Sequence, residues 1–397
     1  MKKIVVISEL FYPNKTSTAF IMTEIARYLA KKNKVMAICS DIAYDANIEE
    51  KDNGYLGAVE LIKAKAPKVD KNKTFSRLWG SLFTTISFGK LVIQKVKKGD
   101  TVFAVTNPFL LVLTMALIRI FKNFDYVLLV HDVFPENAVP AGLTNPNGLV
   151  YKLSKRIYDW AYSKADRLIV LGRDMKELVD AKVKGEKESV VVENWFDEDL
   201  TFNNTIDRDQ YLGIDTTNKI VIGFAGNIGR VQNLEEFLEV FSTVNTDRII
   251  LVLIGEGAKK EALEHITQTK KLQNVLLLGN KPRSEQSTFL SCFDIGLITL
   301  SRGMYGLGVP SKTYNLLAFG KPVLYIGDQG SELDRLVTES SVGWSFNWEN
   351  PDEIRAFLSK LENLDGSFGQ NAKTLAETHY SAEVILSKLE RNILNEN

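Results

Sequence analysis

The chain has 397 residues, 45% of them hydrophobic and 25% charged, with 49 basic side chains against 49 acidic ones. This composition belongs to a soluble globular protein and excludes disordered, collagen-like and disulfide-rich classes, while the length points to two domains. The neutral total hides unlike halves, because residues 1–198 carry 30 Lys and Arg against 23 Asp and Glu, and the remainder 19 against 26.

The two cysteines, Cys39 and Cys292, lie inside apolar runs and read as buried, reduced thiols of a cytosolic protein. Lys2 and Lys3 precede only four apolar residues, Ile4 to Ile7, before Ser8 and Glu9, too short for a signal-peptide core. The longest apolar stretch, Phe109 to Ile118, falls short of the roughly 18 residues a membrane span requires. A cytoplasmic protein is expected, free or peripheral on the inner face of the membrane.

The chain opens with a buried-strand pattern from Lys3 to Ser8 and a polar loop from Tyr12 to Thr18. A helix with Ile21, Ile25 and Leu29 on one face follows, then a strand at Lys34–Cys39, the start of a parallel doubly wound sheet. Thr101–Val105, Tyr126–Val130, Arg167–Leu171 and Ser189–Val192 continue it as short buried strands. After a segment rich in Asp, Asn and Thr, about 198–218, the pattern restarts. Strands at Lys219–Ala225, Ile249–Ile254, Asn274–Leu278, Ile295–Thr299 and Pro322–Ile326 alternate with helices at Leu234–Val244, Lys259–Thr267, Ser284–Ser291 and Ser311–Phe319. The expected architecture is α/β, two Rossmann-like doubly wound parallel-sheet domains with a cleft between them. Their bounds are 1–198 and 199–375, followed by a C-terminal helix, 376–397. Ligands of such sheets bind at the carboxyl ends of the strands.

Several segments there carry chemistry. Phe224-Ala-Gly-Asn-Ile-Gly-Arg230 follows a strand and precedes a helix. Gly226 and Gly229 would let backbone amides approach a phosphate beside Asn227, and Arg230 would add a forked donor. Gly303-Met-Tyr-Gly-Leu-Gly-Val-Pro-Ser-Lys312 runs from a glycine-rich loop into a helix, so that Gly308, Ser311 and Lys312 form either a second anion cradle or a capped structural helix. Gly255-Glu-Gly257 and Gly279-Asn-Lys-Pro-Arg283 end two further strands. Glu256 and Lys281 there either line a base or ribose or belong to ordinary turns. In the first domain His131-Asp-Val-Phe-Pro-Glu136 follows a buried strand. His131, Asp132 and Glu136 are candidates for acid/base chemistry or sugar contacts, against a structural histidine held by backbone.

Together these segments resemble the family-4 glycosyltransferases, which are retaining, nucleotide-sugar-dependent enzymes of the two-domain GT-B fold. The resemblance rests on Ala225-Gly-Asn-Ile-Gly-Arg230 with Asn233-Leu-Glu235, on Gly308-Val-Pro-Ser-Lys-Thr-Tyr-Asn-Leu-Leu-Ala-Phe-Gly-Lys-Pro-Val323, on His131 to Glu136 and on Asn194-Trp-Phe-Asp197. It is nearest to the enzymes assembling bacterial capsule, O-antigen and exopolysaccharide. The resemblance implies that Gly226 to Arg230, Ser311 and Lys312 bind the donor diphosphate. It also implies that Glu256 and Lys281 hold the base, that His131 meets the donor sugar, and that the last helix crosses back onto the first domain. UDP is the nucleotide it favours, a hexose the sugar, and a glycan or polyprenyl-linked saccharide the acceptor.

This chain departs from the family in two places. Leu307 and Asn315 stand where the family has paired glutamates; Asn315 can still bond a ribose hydroxyl, but Leu307 cannot act as a carboxylate. Thr16-Ser-Thr18 replaces paired glycines in the first loop, leaving Ser17 and Thr18 as acceptor-side candidates. Asp197-x-Asp199 and Asp207-x-Asp209 read as solvated linker charges, so no metal and no cofactor is expected.

Residues 63–98 hold ten Lys and Arg and a single acid, Asp70. Within them Phe75, Leu78, Trp79, Leu82, Phe83 and Ile86 form a helical stripe. This stripe either packs on its own domain or meets an anionic membrane surface; nucleic acid is not expected. A nucleotide-sugar 2-epimerase is the alternative enzyme, and a periplasmic-type binding protein is disfavoured by the missing export signal.

Overall fold

A computed structural model describes residues 2–14, 16–41, 54–67, 74–185, 187–202, 205–244 and 246–396. Lys68, Asp70, Lys71 and Lys73 of the basic stretch, and the side chains of Phe75, Arg77 and Leu78, lie outside the described residues. The contacts divide the chain into two compact units, each taken by itself. The first holds Met1–Val139, Thr144–Val192 and Leu386–Asn397, and the second Pro140–Leu143 and Glu193–Ile385. The division thus falls between Val192 and Glu193 rather than after 198, and the chain rejoins the first unit at Leu386 rather than at 376.

In the first unit β1 (Lys3–Ile7), α1 (Ser17–Ala30), β2 (Lys34–Ser40), β3 (Glu60–Ala64), α2 (Thr74–Lys95), β4 (Thr101–Val105) and α3 (Leu111–Phe121) lead to β5 (Asp125–Val130). Then come α4 (Leu149–Ser163), β6 (Arg167–Val170), α5 (Arg173–Lys182) and β7 (Val190–Val191). The seven strands form one parallel sheet in the order β3-β2-β1-β4-β5-β6-β7. Its central strands are unbroken apolar runs, with every residue of β4 buried, because helices cover both faces of a parallel sheet. The edge strand β3 has the sequence Glu-Leu-Ile-Lys-Ala and is mostly half-buried or exposed, so it carries little apolar signal.

In the second unit α6 (Arg208–Leu212), β8 (Ile220–Ala225), α7 (Leu234–Phe241), β9 (Ile249–Ile254), α8 (Lys260–Thr269), β10 (Val275–Leu277), α9 (Gln286–Cys292) and β11 (Ile295–Thr299) precede α10 (Lys312–Ala318). They are followed by β12 (Val323–Ile326), α11 (Glu332–Glu339), β13 (Gly343–Phe346), α12 (Pro351–Lys360) and α13 (Gly366–His379), while α14 (Ala382–Leu394) belongs to the first unit from Leu386 onward. The sheet is parallel in the order β10-β9-β8-β11-β12-β13. Phe224, Phe237, Leu251, Leu297, Leu324 and Trp348 belong to its buried core, each contributing about 1.5–3 kcal/mol through burial. The series does not end at Ile326, since β13, half-buried along its length, adds an edge strand. The linker is not purely irregular either: Asp207 caps α6 by accepting from the Gln210 amide at 3.0 Å. Cys39 and Cys292 are buried. Among the described residues no helix is long and apolar enough to cross a membrane.

Candidate functional site

In the second unit the loops leaving β8, β9 and β10 interlock through their backbones. Gly226 N donates to Ile254 O at 2.9 Å, Ile228 N to Glu256 O at 2.8 Å, and Gly255 N to Gly279 O at 2.8 Å. A Cβ on Gly255 would stand 1.8 Å from Gly226 O, and one on Gly257 2.2 Å from Ile228 O. These glycines are thus demanded by backbone packing rather than by a ligand. Gly229 is likewise used internally, its amide donating to the Gln232 side chain at 3.0 Å. This corrects the expectation that the amides of Gly226 and Gly229 point at a phosphate, because both already have acceptors inside the protein.

The position of Gly226 matters for another reason. It is exposed, its φ is +146°, and the direction a side chain would take leads to Lys312, whose Nζ lies 3.9 Å from the Cβ site. Lys312 Nζ sits over the Phe224 ring, 3.3 Å from its centroid. Burial lowers its ammonium to about 7, and among the described residues no carboxylate pairs with it. Around it, the amides of Gly308, Val309 and Ser311 meet no acceptor among the described residues. Asn227 and Arg230 are exposed alongside. The structure therefore brings Gly226, Lys312 and the start of α10 together as a cationic, amide-lined recess whose chemistry suits an anion.

The nearby carboxylates have other partners. Glu256 pairs with Lys260 at 2.7 Å. Lys281 is 3.7 Å from Glu285 and lies over the Tyr211 ring. In the first turn of α7, Glu235 pairs with Lys259, and Glu236 with Arg302, which holds its carboxyl below the ordinary value. That helix end already has its own negative charge. Asn315 accepts from the Asp197 amide at 2.8 Å, so one of its polar atoms is committed to structure, and Leu307 is buried. Of the two Asp-x-Asp pairs only Asp197 is not a solvated charge, being buried and ion-paired with Arg283. Asp199, Asp207 and Asp209 are exposed as expected, although the Asp199 amide donates to Asp197, Asp207 is a cap and Asp209 accepts from Thr216 N at 3.0 Å. Asp328, passed over in the sequence, accepts from Gly303 N at 3.2 Å and Tyr305 N at 2.8 Å, and so shapes the glycine-rich loop. Its signal was a lone acid directly after a buried strand.

In the first unit His131 and Asp132 both donate their amides to Thr106 Oγ1 at 3.1 Å. The His131 Nε2 is buried without a partner, and burial lowers its imidazolium to about 4. The ring is neutral near pH 7 and suited to a hydrogen bond rather than to acid/base transfer. Asp132 is exposed. Glu136 is not available as a catalytic group: both its oxygens lie 2.8 Å from Lys182 Nζ, which also meets Asp159 at 2.7 Å, and Lys155 joins both acids at 3.1 and 3.0 Å. The Lys182 side chain is fully inaccessible, so this is a neutralised internal cluster. Ser17, exposed, and Thr18, half-buried, open α1 behind the Thr16 cap. Glu9, also passed over, stands at the carboxyl end of β1, where its carbonyl accepts from Ser40 N at 3.2 Å. Its carboxyl is raised by burial and has no partner among the described residues.

Two parallel-sheet α/β units with a cationic recess at the strand ends of the second define the GT-B class of glycosyltransferases. Residues 208–377 match the family model "Glycosyl transferases group 1". The chain is 31% identical over 390 residues to the probable glycosyltransferase WbjE of Pseudomonas aeruginosa, covering 98% of this chain and 96% of the relative. It is 24% identical over 261 residues, 64% of each chain, to the putative colanic acid biosynthesis glycosyl transferase WcaI of Escherichia coli (strain K12). Anabaena Alr3699/HepE in complex with UDP-glucose superposes with a TM-score of 0.72 over 100% of both chains at 14% identity. The protein belongs to the group 1 glycosyltransferase family, and it is a glycosyltransferase.

The cluster around Lys182 gives a stability test. Lys182→Met, which leaves the buried Glu136 and the half-buried Asp159 short of charge, is expected to lower the unfolding free energy by about 3–5 kcal/mol in urea. Lys155→Met, at a partly exposed amine, is expected to cost less than about 1 kcal/mol. Equal losses would show that burial does not decide the role of the cluster.

Proposed function

We propose that the enzyme is a retaining hexosyltransferase. It takes its sugar from a nucleoside-diphosphate donor, with uridine as the base, and transfers it to a glycan or polyprenyl-linked saccharide in cell-surface polysaccharide synthesis. The observation that carries this reading is Lys312, an ammonium without a counter-ion beside Gly226 and the free amides of Gly308 and Ser311. A diphosphate would meet both the ammonium and these amides. As the bond from the anomeric carbon to the phosphate oxygen breaks, charge grows on the leaving group, where Lys312 and Arg230 stabilise it. The acceptor hydroxyl bonds to the anomeric carbon from the same face and gives its proton to the departing phosphate. Retention and the capsule or O-antigen setting follow the family resemblance, and the names of WbjE and WcaI support the polysaccharide role. The UDP-glucose complex of HepE supports uridine. Asn315, through its remaining polar atom, and Glu256 and Lys281, at the ends of β9 and β10, are the groups proposed to meet ribose and base. His131 offers the donor sugar a neutral hydrogen bond, and Ser17, Thr18 and Asp132 belong to the acceptor side. With two protein cations on the phosphates, the reaction needs no metal. The enzyme is placed in the cytoplasm, at the inner face of the membrane.

Transfer is distinguished from 2-epimerisation by incubating donor alone and donor with acceptor. Nucleotide release that requires acceptor, and survives EDTA, is the expected result; a new nucleotide sugar formed from donor alone would overturn it.

A lysine lowered to about 7 binds a phosphate best when protonated. UDP binding above that pH therefore takes up close to one proton, and affinity falls by up to about tenfold per pH unit as pH rises past 7. Calorimetry in buffers of different ionisation heat measures this uptake. Lys312→Met is expected to abolish it and to weaken UDP binding at least about tenfold. Uptake that persists in this variant would remove Lys312 from the site.

A further inference from the structure

The helices α2, α3 and α4 lie side by side in the first unit, α2 packed on α3 and α3 on α4. The stripe on α2 had two possible placements, and the structure turns its described members outward. Trp79 is 48% exposed and Phe83 53%, while Phe88 and Val92 are buried with Thr84 and Thr85 on the opposite side and form the helix's own core face. The outward residues are therefore a second apolar face that this core does not use. Exposed apolar residues continue on its neighbours. Phe121, ending α3, is 84% exposed, and Leu149 and Val150, opening α4, are 85% and 77% exposed. Single exposed apolar residues need no explanation, but a succession across three adjoining helices marks a contact surface.

Charge selects the partner. Residues 74–99, 111–123 and 148–157 contain ten Lys and Arg and no Asp or Glu. Lys90, Lys97, Lys152 and Arg156 are exposed and pair with no carboxylate among the described residues. Two copies joined through this face would bring like charges together. Aromatic and aliphatic side chains ringed by lysines, without acids, match the boundary between anionic headgroups and acyl chains. We propose that this face docks on an anionic lipid bilayer, with the outward sides of α2 and α4 in the interface. The first turn of α4, which no sequence motif singled out, supplies its most exposed apolar residues. The proposal deepens the reading of a lipid-linked acceptor by naming the surface that brings the enzyme to it, and rests on that reading only for its purpose.

The test is flotation of the full-length protein with phosphatidylcholine vesicles, with and without phosphatidylglycerol, with UDP binding measured on the same samples. The expected result is at least about tenfold more protein bound when the anionic lipid is present, with release as salt shortens the Debye length. Leu149→Glu with Val150→Glu, and separately Trp79→Ser with Phe83→Ser, should each remove most of the binding at unchanged melting temperature. Lys97→Glu with Lys152→Glu should abolish the anionic preference. The proposal is overturned if the wild-type protein fails to float or if the variants float equally well. It is also overturned if light scattering shows a dimer that Val150→Glu dissolves. Lost flotation with intact UDP binding sinks the surface alone, whereas intact flotation without UDP binding sinks the donor reading alone.

Discussion

The chemistry proposed for the second unit depends on one ammonium group held without a carboxylate partner among the described residues. Lys312 lies over the face of Phe224, where the ring's quadrupole replaces part of the lost hydration. The group tolerates burial because it can shed its proton near neutrality. The surrounding carboxylates are each committed elsewhere: Glu256 to Lys260, Glu236 to Arg302, Asp197 to Arg283, and Asp328 to the amides of Gly303 and Tyr305. Had any of them turned to Lys312, the recess would be an internal salt bridge with no use for a phosphate.

The glycines around this recess differ in role although the sequence writes them alike. Gly255 and Gly257 exist so that three loops can lock backbone to backbone, and any side chain there would strike a carbonyl. Gly226 shares the same unusual φ but opens toward Lys312, so its missing side chain leaves room for a ligand. The rigidity supplied by the first two holds the third in place. Precise placement of donors around a phosphate needs such a frame, since an ångström of looseness forfeits most of the electrostatic gain.

The fold was legible because parallel strands covered on both faces leave unbroken apolar runs, and β1, β4, β9 and β11 read directly as such. Two of the four edge strands escaped: β3 and β13 are short, polar or glycine-containing, and half-exposed, so neither hydrophobicity nor alternation marks them, whereas β7 and β10 were legible as short apolar runs. In the site, Lys312 and Gly226 were visible as residue types that suit phosphates, but their proximity belongs to the fold. Glu136 misled for the same reason. A glutamate beside a histidine and a proline looks functional, and only the tertiary structure brings Lys182, from 46 residues along the chain, onto it. Gly229 misled because its amide partner is a side chain three residues away. Glu9 and Asp328 were overlooked as ordinary acids at strand ends, where carboxylates at the carboxyl edge of a parallel sheet are the ones to weigh first.

The first unit adds a constraint on where a proton can go. Its buried Lys182 and Glu136 and the half-buried Asp159 are ion-paired with one another and so committed to structure. His131 is neutral near pH 7, but an imidazole whose conjugate acid lies near 4 is a weak base, poorly matched to deprotonating a sugar hydroxyl. Within the proposed transfer, the proton of the acceptor therefore does not pass to His131, one of the residues the sequence offered for acid/base chemistry. The leaving phosphate, whose basicity rises as its bond to the sugar breaks, is the better acceptor. Lys312, protonated once the diphosphate is bound, and Arg230 then stabilise the remaining charge on that group while its oxygen takes the proton.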